Sequence, residues 1–179
     1  IIKGLEAINY NAYVLGNHEF NYGLNYLKNA YDKISDKVIN ANIKGLPFNT
    51  KPYKVFDFNG FKIGCIGFTT VYIPNWEQEA NIKDLEFLDV VKQYAKYEKE
   101  LKENCDFIIV CYHGGFEKSL DENMTPTEAL TKENQGSELL ENFDSINMIL
   151  SGHQHRSFIT KIKDVICSQP MHNGQSFTK

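Results

Sequence analysis

Segments with the hydrophobic spacing of a helix alternate along this chain with segments typical of β-strands, and this alternation restricts the folds that it can adopt. Leu24, Leu27, Tyr31 and Ile34 are spaced at 3, 4 and 3 residues, which predicts a helix over about 23–34. Two strand-like runs, 53–58 and 61–68, flank Asn59-Gly60, a strong signal for a two-residue β-hairpin. Helical and strand periods in one chain predict a layered α/β (α+β) domain with an antiparallel component in its sheet.

The same alternation continues to the end of the chain. Phe87, Val90, Tyr94, Tyr97 and Leu101 recur at helical spacing and predict a long amphipathic helix over about 82–103. Further strands are predicted at 12–15, 38–41, 107–112 and 146–150, and further helices at 1–9 and 138–143. No repeat or proline-rich linker interrupts the pattern, so we expect residues 1–179 to belong to one domain without an internal boundary.

Charge and hydropathy argue against two classes of partner. The formal net charge is -4, which leaves no basic surface that could neutralise a run of phosphates, so we expect no polymeric nucleic acid as a partner. The longest apolar runs, such as 107–112, are far shorter than the roughly 20 residues of a membrane-spanning helix. We therefore expect no membrane span in this chain.

Three of the predicted strands end in a glycine-flanked polar cluster. The clusters are Gly16-Asn17-His18-Glu19, His113-Gly114-Gly115 and Gly152-His153-Gln154-His155, and they contain four of the five histidines. Loops at the carboxyl ends of strands are where α/β proteins place their ligands, because the sheet fixes the loops in space. The distribution of the histidines therefore predicts a functional site at one sheet edge.

Each cluster also has a purely structural interpretation. A Gly-Asn-His segment can be ordinary turn chemistry, and His113 alone could be a hydrogen-bonded histidine at the edge of the core. His153 and His155 are two residues apart, so in extended backbone they point to the same side and can face one metal ion or two adjacent ones. Taken together, the clusters favour a metal site of imidazoles and an amide oxygen. No carboxylate stands at a strand end next to these clusters where it could bridge two ions, and Glu19 is the nearest candidate.

These residues resemble the last three motifs of the calcineurin-like metallophosphoesterases. Within that superfamily, 16–24 is similar to the 5'-nucleotidase group, especially its 2',3'-cyclic-nucleotide 2'-phosphodiesterase/3'-nucleotidase branch. The resemblance continues in Asn40-Ala41-Asn42, 51–54, 66–68, Pro74-Asn75-Trp76-Glu77 and Gln169-Pro170. It covers about 10–175, which is nearly the whole chain.

The resemblance implies a four-layer αββα sandwich with mixed sheets, incomplete at its N-terminus, and hydrolysis of nucleotide phosphoesters. The intact enzyme would hold two divalent metal ions (Mn, Zn, Fe, Co or Ni), and this chain alone one or none. By resemblance, Asn17, His113 and His153 would bind one metal and His155 the other. His18 would be the catalytic histidine, and hydroxide held by the metals would attack phosphorus in line with the leaving oxygen.

The sequence departs from the family pattern in three respects. The upstream Asp-x-His and Gly-Asp motifs are absent, so we expect this chain to be the C-terminal portion of one catalytic domain and inactive alone. Asn21 stands where many 5'-nucleotidases have an Asp that pairs with the catalytic histidine, which favours the cyclic-phosphodiesterase branch. By resemblance, Asn21 would pair with His18 and orient the imidazole without raising its basicity as a carboxylate does. The family's C-terminal substrate-binding domain is also lacking, so the base preference cannot be predicted.

Two alternatives to this interpretation stay open. The first is another enzyme on the same scaffold, a 5'-nucleotidase or a nucleotide-sugar hydrolase. The second is a metal-binding module without catalysis, which the chain in isolation could also be. The parent protein is expected to be exported to the periplasm, cell wall or medium, but only because similar proteins of this branch usually are.

Overall fold

A computed structural model of the chain describes residues 2–178. The first third contains helix α1 (Ile2–Ile8), helix α2 (Gly23–Tyr31), strand β1 (Ile43–Lys44) and a hairpin of strands β2 (Tyr53–Phe58) and β3 (Phe61–Thr69). Helix α3 (Glu79–Ile82), strand β4 (Glu86–Phe87), helix α4 (Val90–Asn104) and strand β5 (Phe107–His113) follow. Helix α5 (Gly136–Asn142) and strands β6 (Met148–Ser151), β7 (Phe158–Ile162) and β8 (Val165–Gln169) complete the described fold.

The strands form one six-stranded mixed sheet and one two-stranded sheet. The large sheet has the order β2-β3-β5-β6-β8-β7, and β1 pairs with β4 in the small one. Strands β3, β5, β6 and β8 run parallel, while the hairpins β2–β3 and β7–β8 add antiparallel edges. The predicted α/β (α+β) class with a mixed sheet is therefore confirmed. Among residues 2–178 there is no second large sheet of the predicted four-layer sandwich.

The core of the large sheet lies between its strands and helices α4 and α5. From α4, Tyr94 and Leu101 are fully buried against Phe68 of β3 and Val110 of β5, and Leu139 of α5 belongs to the same cluster. A second cluster surrounds α2 and includes the buried side chains of Tyr13, Leu15, Phe20, Leu27 and Val38. These two clusters hold the three polar loops at one end of the sheet.

Most of the predicted elements are found in the structure, with the following corrections. The strands predicted at 12–15 and 38–41 are reduced to isolated bridges, Tyr13 with Val38 and Ile39 with Lys51. The helix predicted at 82–103 begins only at Val90, because Glu86 and Phe87 pair with β1. Strands β1, β4, β7 and β8 and helix α3 were not predicted. Ile1, part of the first predicted helix, lies outside the described residues.

Asp89 explains why α4 begins where it does. Its Oδ1 accepts a hydrogen bond from the backbone N–H of Lys92 at 3.0 Å, as an N-cap residue does. Its Oδ2 accepts from the ammonium of Lys132 and, at 3.3 Å, from the amide of Gln135. Asp89 therefore ties the start of α4 to the loop that precedes α5.

We expect Asp89→Ala to lower the free energy of unfolding by about 1–2 kcal/mol, because a cap and a half-buried ion pair are both lost. Burial alone would raise the pKa of Asp89, but the Lys132 ammonium and the Lys92 N–H outweigh it and lower that pKa. The carboxylate therefore stabilises the fold above its unfolded pKa of about 3.9, and this contribution is lost as the pH falls through its lower folded pKa.

Urea unfolding of the wild type and two variants at several pH values between 7 and 2 tests this expectation. Asp89→Asn keeps an oxygen that can cap the helix, so it should cost less than Asp89→Ala at pH 7. It should also weaken the dependence of stability on pH below about 4. Equal pH dependence in the wild type and in Asp89→Asn would contradict the proposed ionic contribution.

Among residues 2–178, no helix combines the length and the apolar character needed to cross a membrane.

Candidate metal centre

The three polar loops predicted from the sequence meet at one edge of the large sheet. Strands β5 and β6 are parallel neighbours that end at His113 and Ser151, so the loops after them start side by side. Thr69, opposite His113 in register, donates a hydrogen bond from Oγ1 to the carbonyl of Leu15 at 2.7 Å. This bond brings the backbone before Asn17 to the same edge.

Asn17 and His113 face each other directly. Oδ1 of Asn17 lies 2.8 Å from Nε2 of His113. Burial, and then the neighbouring imidazoles of His153 and His18, lower the pKa of His113 to about 3. The imidazole is therefore neutral at physiological pH, which is the form that binds metals.

His153 stands next to His113 on strained backbone. The two ring centroids are 5.4 Å apart, with the planes at 61°. His153 has a φ of 68° and His155 a φ of 55°, a left-handed conformation that is costly for residues other than glycine. Strain of this kind is concentrated at functional sites. Nε2 of His153 lies 3.0 Å from Oε1 of Glu133, which leaves its Nδ1 as the nitrogen available to another group.

His155 faces a cavity rather than the contact between Asn17 and His113. The cavity has a volume of about 260 Å³ and is lined by His113, His153, His155 and the segment 169–173. The His155 ring stacks on His172 at 4.7 Å. Nδ1 of His172 is buried and has no hydrogen-bond partner within the described part of the chain. His172 is the one histidine that the sequence motifs do not include.

His18 projects beside this centre and is held by Asn21. Nδ1 of His18 lies 2.9 Å from Oδ1 of Asn21, so the predicted pairing of these two residues is present as a contact. The Nδ2 group of Asn21 donates to Oε2 of Glu77 at 2.6 Å. Glu77 in turn accepts from Nδ2 of Asn81 and from the backbone N–H of Gln78, both at 2.8 Å.

A single short segment contacts both halves of the site. After the 3-10 helix Ile73–Asn75, the ring of Trp76 lies 5.3 Å from that of His153, measured between centroids. The next residue, Glu77, makes the hydrogen bond to Asn21. Trp76 is 46% exposed, so the segment forms part of the rim of the site.

Close packing explains the glycine at the start of the first loop. A Cβ atom at Gly16 would lie 2.8 Å from both Oε2 of Glu19 and Cε1 of His113. The backbone N–H of Gly16 donates to that same Glu19 oxygen at 2.6 Å. The carboxylate of Glu19, the nearest acid in sequence, is therefore engaged by the backbone of its own loop.

The donor atoms fit a divalent metal in their chemistry. Neutral imidazole and amide oxygen suit borderline ions such as manganese, iron or zinc. Across residues 2–178, however, no group of three His, Cys, Asp or Glu side chains is placed to hold a metal ion. A metal site here would therefore have to be built from Asn17 and His113, with His153 beside them.

Two acidic residues near the site, Glu77 and Glu133, were given no role in the sequence analysis. Glu133 belongs to the long polar loop before α5, and no local pattern marks it as a partner of His153. Glu77 lies in the Pro74-Asn75-Trp76-Glu77 segment, which carries part of the family resemblance but had no predicted role. Both contacts join residues distant in sequence.

The calcineurin-like phosphoesterase family matches residues 3–157, and the chain belongs to this family. Members of this family use divalent metal ions. The chain is 32% identical to the 2',3'-cyclic-nucleotide 2'-phosphodiesterase/3'-nucleotidase of Haemophilus influenzae over 176 residues, covering 89% of this chain and 25% of that protein. It is 31% identical to the trifunctional nucleotide phosphoesterase protein YfkN of Bacillus subtilis, covering 88% of this chain and 11% of that protein.

Solved structures agree with these relationships. A Staphylococcus aureus protein provisionally described as a 5'-nucleotidase, crystallised with alpha-ketoglutarate, superposes with a TM-score of 0.90 and is 40% identical. That match covers 95% of this chain and 34% of the other. The chain spans about a quarter or less of the length of the curated relatives named above.

Proposed function

We propose that this chain is part of a metal-dependent phosphoester hydrolase that acts on nucleotides, of the 2',3'-cyclic-nucleotide 2'-phosphodiesterase/3'-nucleotidase type. The observation that carries the proposal is the convergence of Asn17, His113 and His153 at one sheet edge, with His18 beside them. The names of the relatives from H. influenzae and B. subtilis support nucleotides as the substrate class. In this proposal, residues 1–179 form the C-terminal portion of one catalytic domain without an internal boundary.

In the proposed enzyme, Asn17, His113 and His153 hold one divalent ion and His155 contributes to a second. When bound, such ions supply Lewis acidity that polarises a phosphoryl oxygen and makes water acidic enough to react at neutral pH. The neutral state of His113 supports this assignment, since a protonated imidazole cannot be a ligand. Manganese, zinc, iron, cobalt and nickel all suit these donors.

His18 has the catalytic role in this proposal. Its Nδ1 faces Asn21, so Nε2 is the nitrogen that can contact the phosphate. There it stabilises charge on the phosphoryl oxygens or passes a proton to the departing ribose oxygen. Positioned proton transfer of this kind contributes about 10²–10⁴-fold to a rate.

A 5'-nucleotidase is the second candidate. The S. aureus protein described in this way has the higher identity, 40% against 32% for the H. influenzae phosphodiesterase. Against it stands Asn21 in the place where many 5'-nucleotidases have an Asp. The two candidates differ in the ester that they cleave and not in the metal centre.

One assay separates the candidates: manganese-dependent release of phosphate and nucleoside by the full-length protein from 2',3'-cyclic AMP, 3'-AMP and 5'-AMP. Preference for the first two substrates supports the proposed activity, and preference for 5'-AMP assigns the protein to the 5'-nucleotidases. If none of the three is hydrolysed while manganese is bound, the proposed activity fails, and a nucleotide-sugar hydrolase and a metal-binding module are the alternatives left.

The proposal also includes a substrate-binding domain and the location of the protein. The nucleotide base would be bound by a C-terminal substrate-binding domain, as the family resemblance implies; the chain's coverage of only 25% of the H. influenzae relative supports this. Export is supported by a cell wall protein of Listeria monocytogenes, 29% identical over 99% of this chain and 26% of that protein. We propose a periplasmic, cell-wall or extracellular location.

We expect Glu133→Gln to weaken manganese binding by about 10–100-fold, as is typical when a partner of a ligating histidine is lost. The carboxylate accepts a hydrogen bond from His153 Nε2, and this contact fixes the ring and its tautomer. Calorimetric titration of manganese into the full-length protein measures the effect. Glu122→Gln, an exposed acid in the same polar loop, is the matched control. Unchanged affinity in Glu133→Gln would show that the contact does not orient a ligand.

A further inference from the structure

We propose that Glu77 is a positioning residue that acts on His18 through the carboxamide of Asn21. The proposal rests on the function proposed above, in which His18 touches the phosphate. The carboxylate of Glu77 reaches the imidazole indirectly, with the side chain of Asn21 between them.

The direction of the hydrogen bonds follows from the chemistry of the three groups. An ionised carboxylate can only accept, so the amide nitrogen of Asn21 must face Glu77 and donate to it at 2.6 Å. The carbonyl oxygen of Asn21 then faces His18 at 2.9 Å and can only accept. Nδ1 of His18 must therefore carry the proton, which leaves Nε2 as the nitrogen presented to the substrate.

Glu77 is itself held in place. Its second oxygen accepts from Nδ2 of Asn81 and from the backbone N–H of Gln78. Nδ2 of Asn81 also donates to the backbone carbonyl oxygen of Asn21 at 3.1 Å, so Asn81 links Glu77 to the main chain of Asn21. Burial tends to raise the pKa of Glu77, but its donors Asn81 and Asn21 outweigh that effect and lower the pKa. The acid is therefore ionised and fixed.

Without the negative charge of Glu77, the direction of the hydrogen bonds through Asn21 is no longer fixed. In Glu77→Gln the new amide can either donate to Asn21 or accept from it, so the Asn21 carboxamide is free to turn over. A reversed Asn21 would present its NH2 group to Nδ1 of His18 and favour the tautomer protonated at Nε2. The size and shape of the side chain hardly change, so the fold should be retained.

The first test measures the His18 tautomer directly in the full-length protein, without metal or substrate. Long-range ¹H–¹⁵N correlation of ¹⁵N-histidine-labelled protein, at a pH where the His18 ring is neutral, distinguishes the two tautomers, and His18→Ala assigns the signal. We expect the Nδ1–H form in the wild type and in the control Glu79→Gln, an exposed acid two residues away. In Glu77→Gln the Nε2–H form should become populated. An unchanged tautomer in Glu77→Gln would overturn the proposal.

The second test is a double-mutant cycle on hydrolysis of 3'-AMP. We expect Glu77→Gln to lower kcat about tenfold with KM nearly unchanged, less than the roughly 10²–10⁴-fold that loss of the catalytic group costs. In a His18→Ala background the same change should have no further effect, because Glu77 acts only through that ring. An equal loss in both backgrounds would assign Glu77 a merely structural role. If the wild type hydrolyses no nucleotide, the proposed function fails while the tautomer measurement still tests this proposal.

Discussion

His18→Ala in the full-length protein is expected to lower kcat for 2',3'-cyclic AMP and 3'-AMP by about 10²–10⁴-fold. Among the described residues the His18 imidazole makes no hydrogen bond to Asn17 or His113, and its Nδ1 lies 2.9 Å from Oδ1 of Asn21. Under the proposed function, the variant removes the group that would contact the phosphate and leaves the proposed metal ligands in place. Steady-state kinetics and elemental analysis of the same preparations measure both quantities.

The metal content of His18→Ala shows whether the fall in kcat comes from the loss of a catalytic group or from the loss of metal. His18→Ala should retain nearly the metal content of the wild type, because the ligands that we propose are on other residues. A matching loss of metal and turnover would contradict the catalytic role and place His18 in the metal site. Asn25→Ala, an exposed change in the following helix, serves as the control for handling and folding.

His153→Ala is expected to affect metal binding first and activity as a consequence. Loss of a ligand should weaken manganese binding by more than the roughly 10–100-fold that an outer partner costs. Alanine is the informative replacement because it keeps a Cβ, so the intrinsic backbone cost of a φ of 68° stays similar to that of the wild type. Titration calorimetry and metal analysis of the purified full-length variant test this expectation.

A change elsewhere in the same loop separates ligand loss from loop damage. Arg156→Ala removes a long exposed side chain close to His153 and should leave manganese affinity unchanged. Full metal occupancy in His153→Ala would exclude His153 as a ligand. Equal losses in the two variants would indicate that the loop, and not the imidazole, is required.

The β7–β8 hairpin shows where local sequence patterns stop being informative. Its turn consists of Lys163 and Asp164, both with positive φ, 46° and 70°, and Lys163 is not one of the Gly, Asn and Asp residues that such turns favour. Five antiparallel residue pairs between β7 and β8 hold the two ends of this turn together, so the strand pairing stabilises it. The hairpin β2–β3, by contrast, carries Asn59-Gly60 and was predicted at both ends within one residue.

The beginning of α4 was missed for a similar reason. The helical spacing starts at Phe87, yet this residue pairs with Ile43 of β1 and is therefore extended. Spacing alone cannot reveal a strand partner more than forty residues earlier. The cap at Asp89 is a local signal that marks the true start, but it was not recognised in the sequence.

The candidate site divides in the same way. The histidine motifs and the pairing of His18 with Asn21 could be predicted, because glycine-flanked loops and short spacings are local features. The acids Glu77 and Glu133 could not, since their contacts cross 56 and 20 residues of chain and depend on how the loops fold over the sheet edge. Whether the predicted ligands bind a metal remains a prediction until it is measured.

The segment that carries Trp76 and Glu77 has a consequence for how this protein can vary. Two consecutive side chains reach different halves of the centre, one towards His153 and one towards Asn21. A substitution there alters one contact, whereas an insertion or deletion before Trp76 shifts both at once. We therefore expect length changes to be tolerated poorly in 73–77 and much better in the exposed stretch 121–123. A library of single-residue insertions, scored for growth on a nucleotide as sole phosphate source, would reveal this difference.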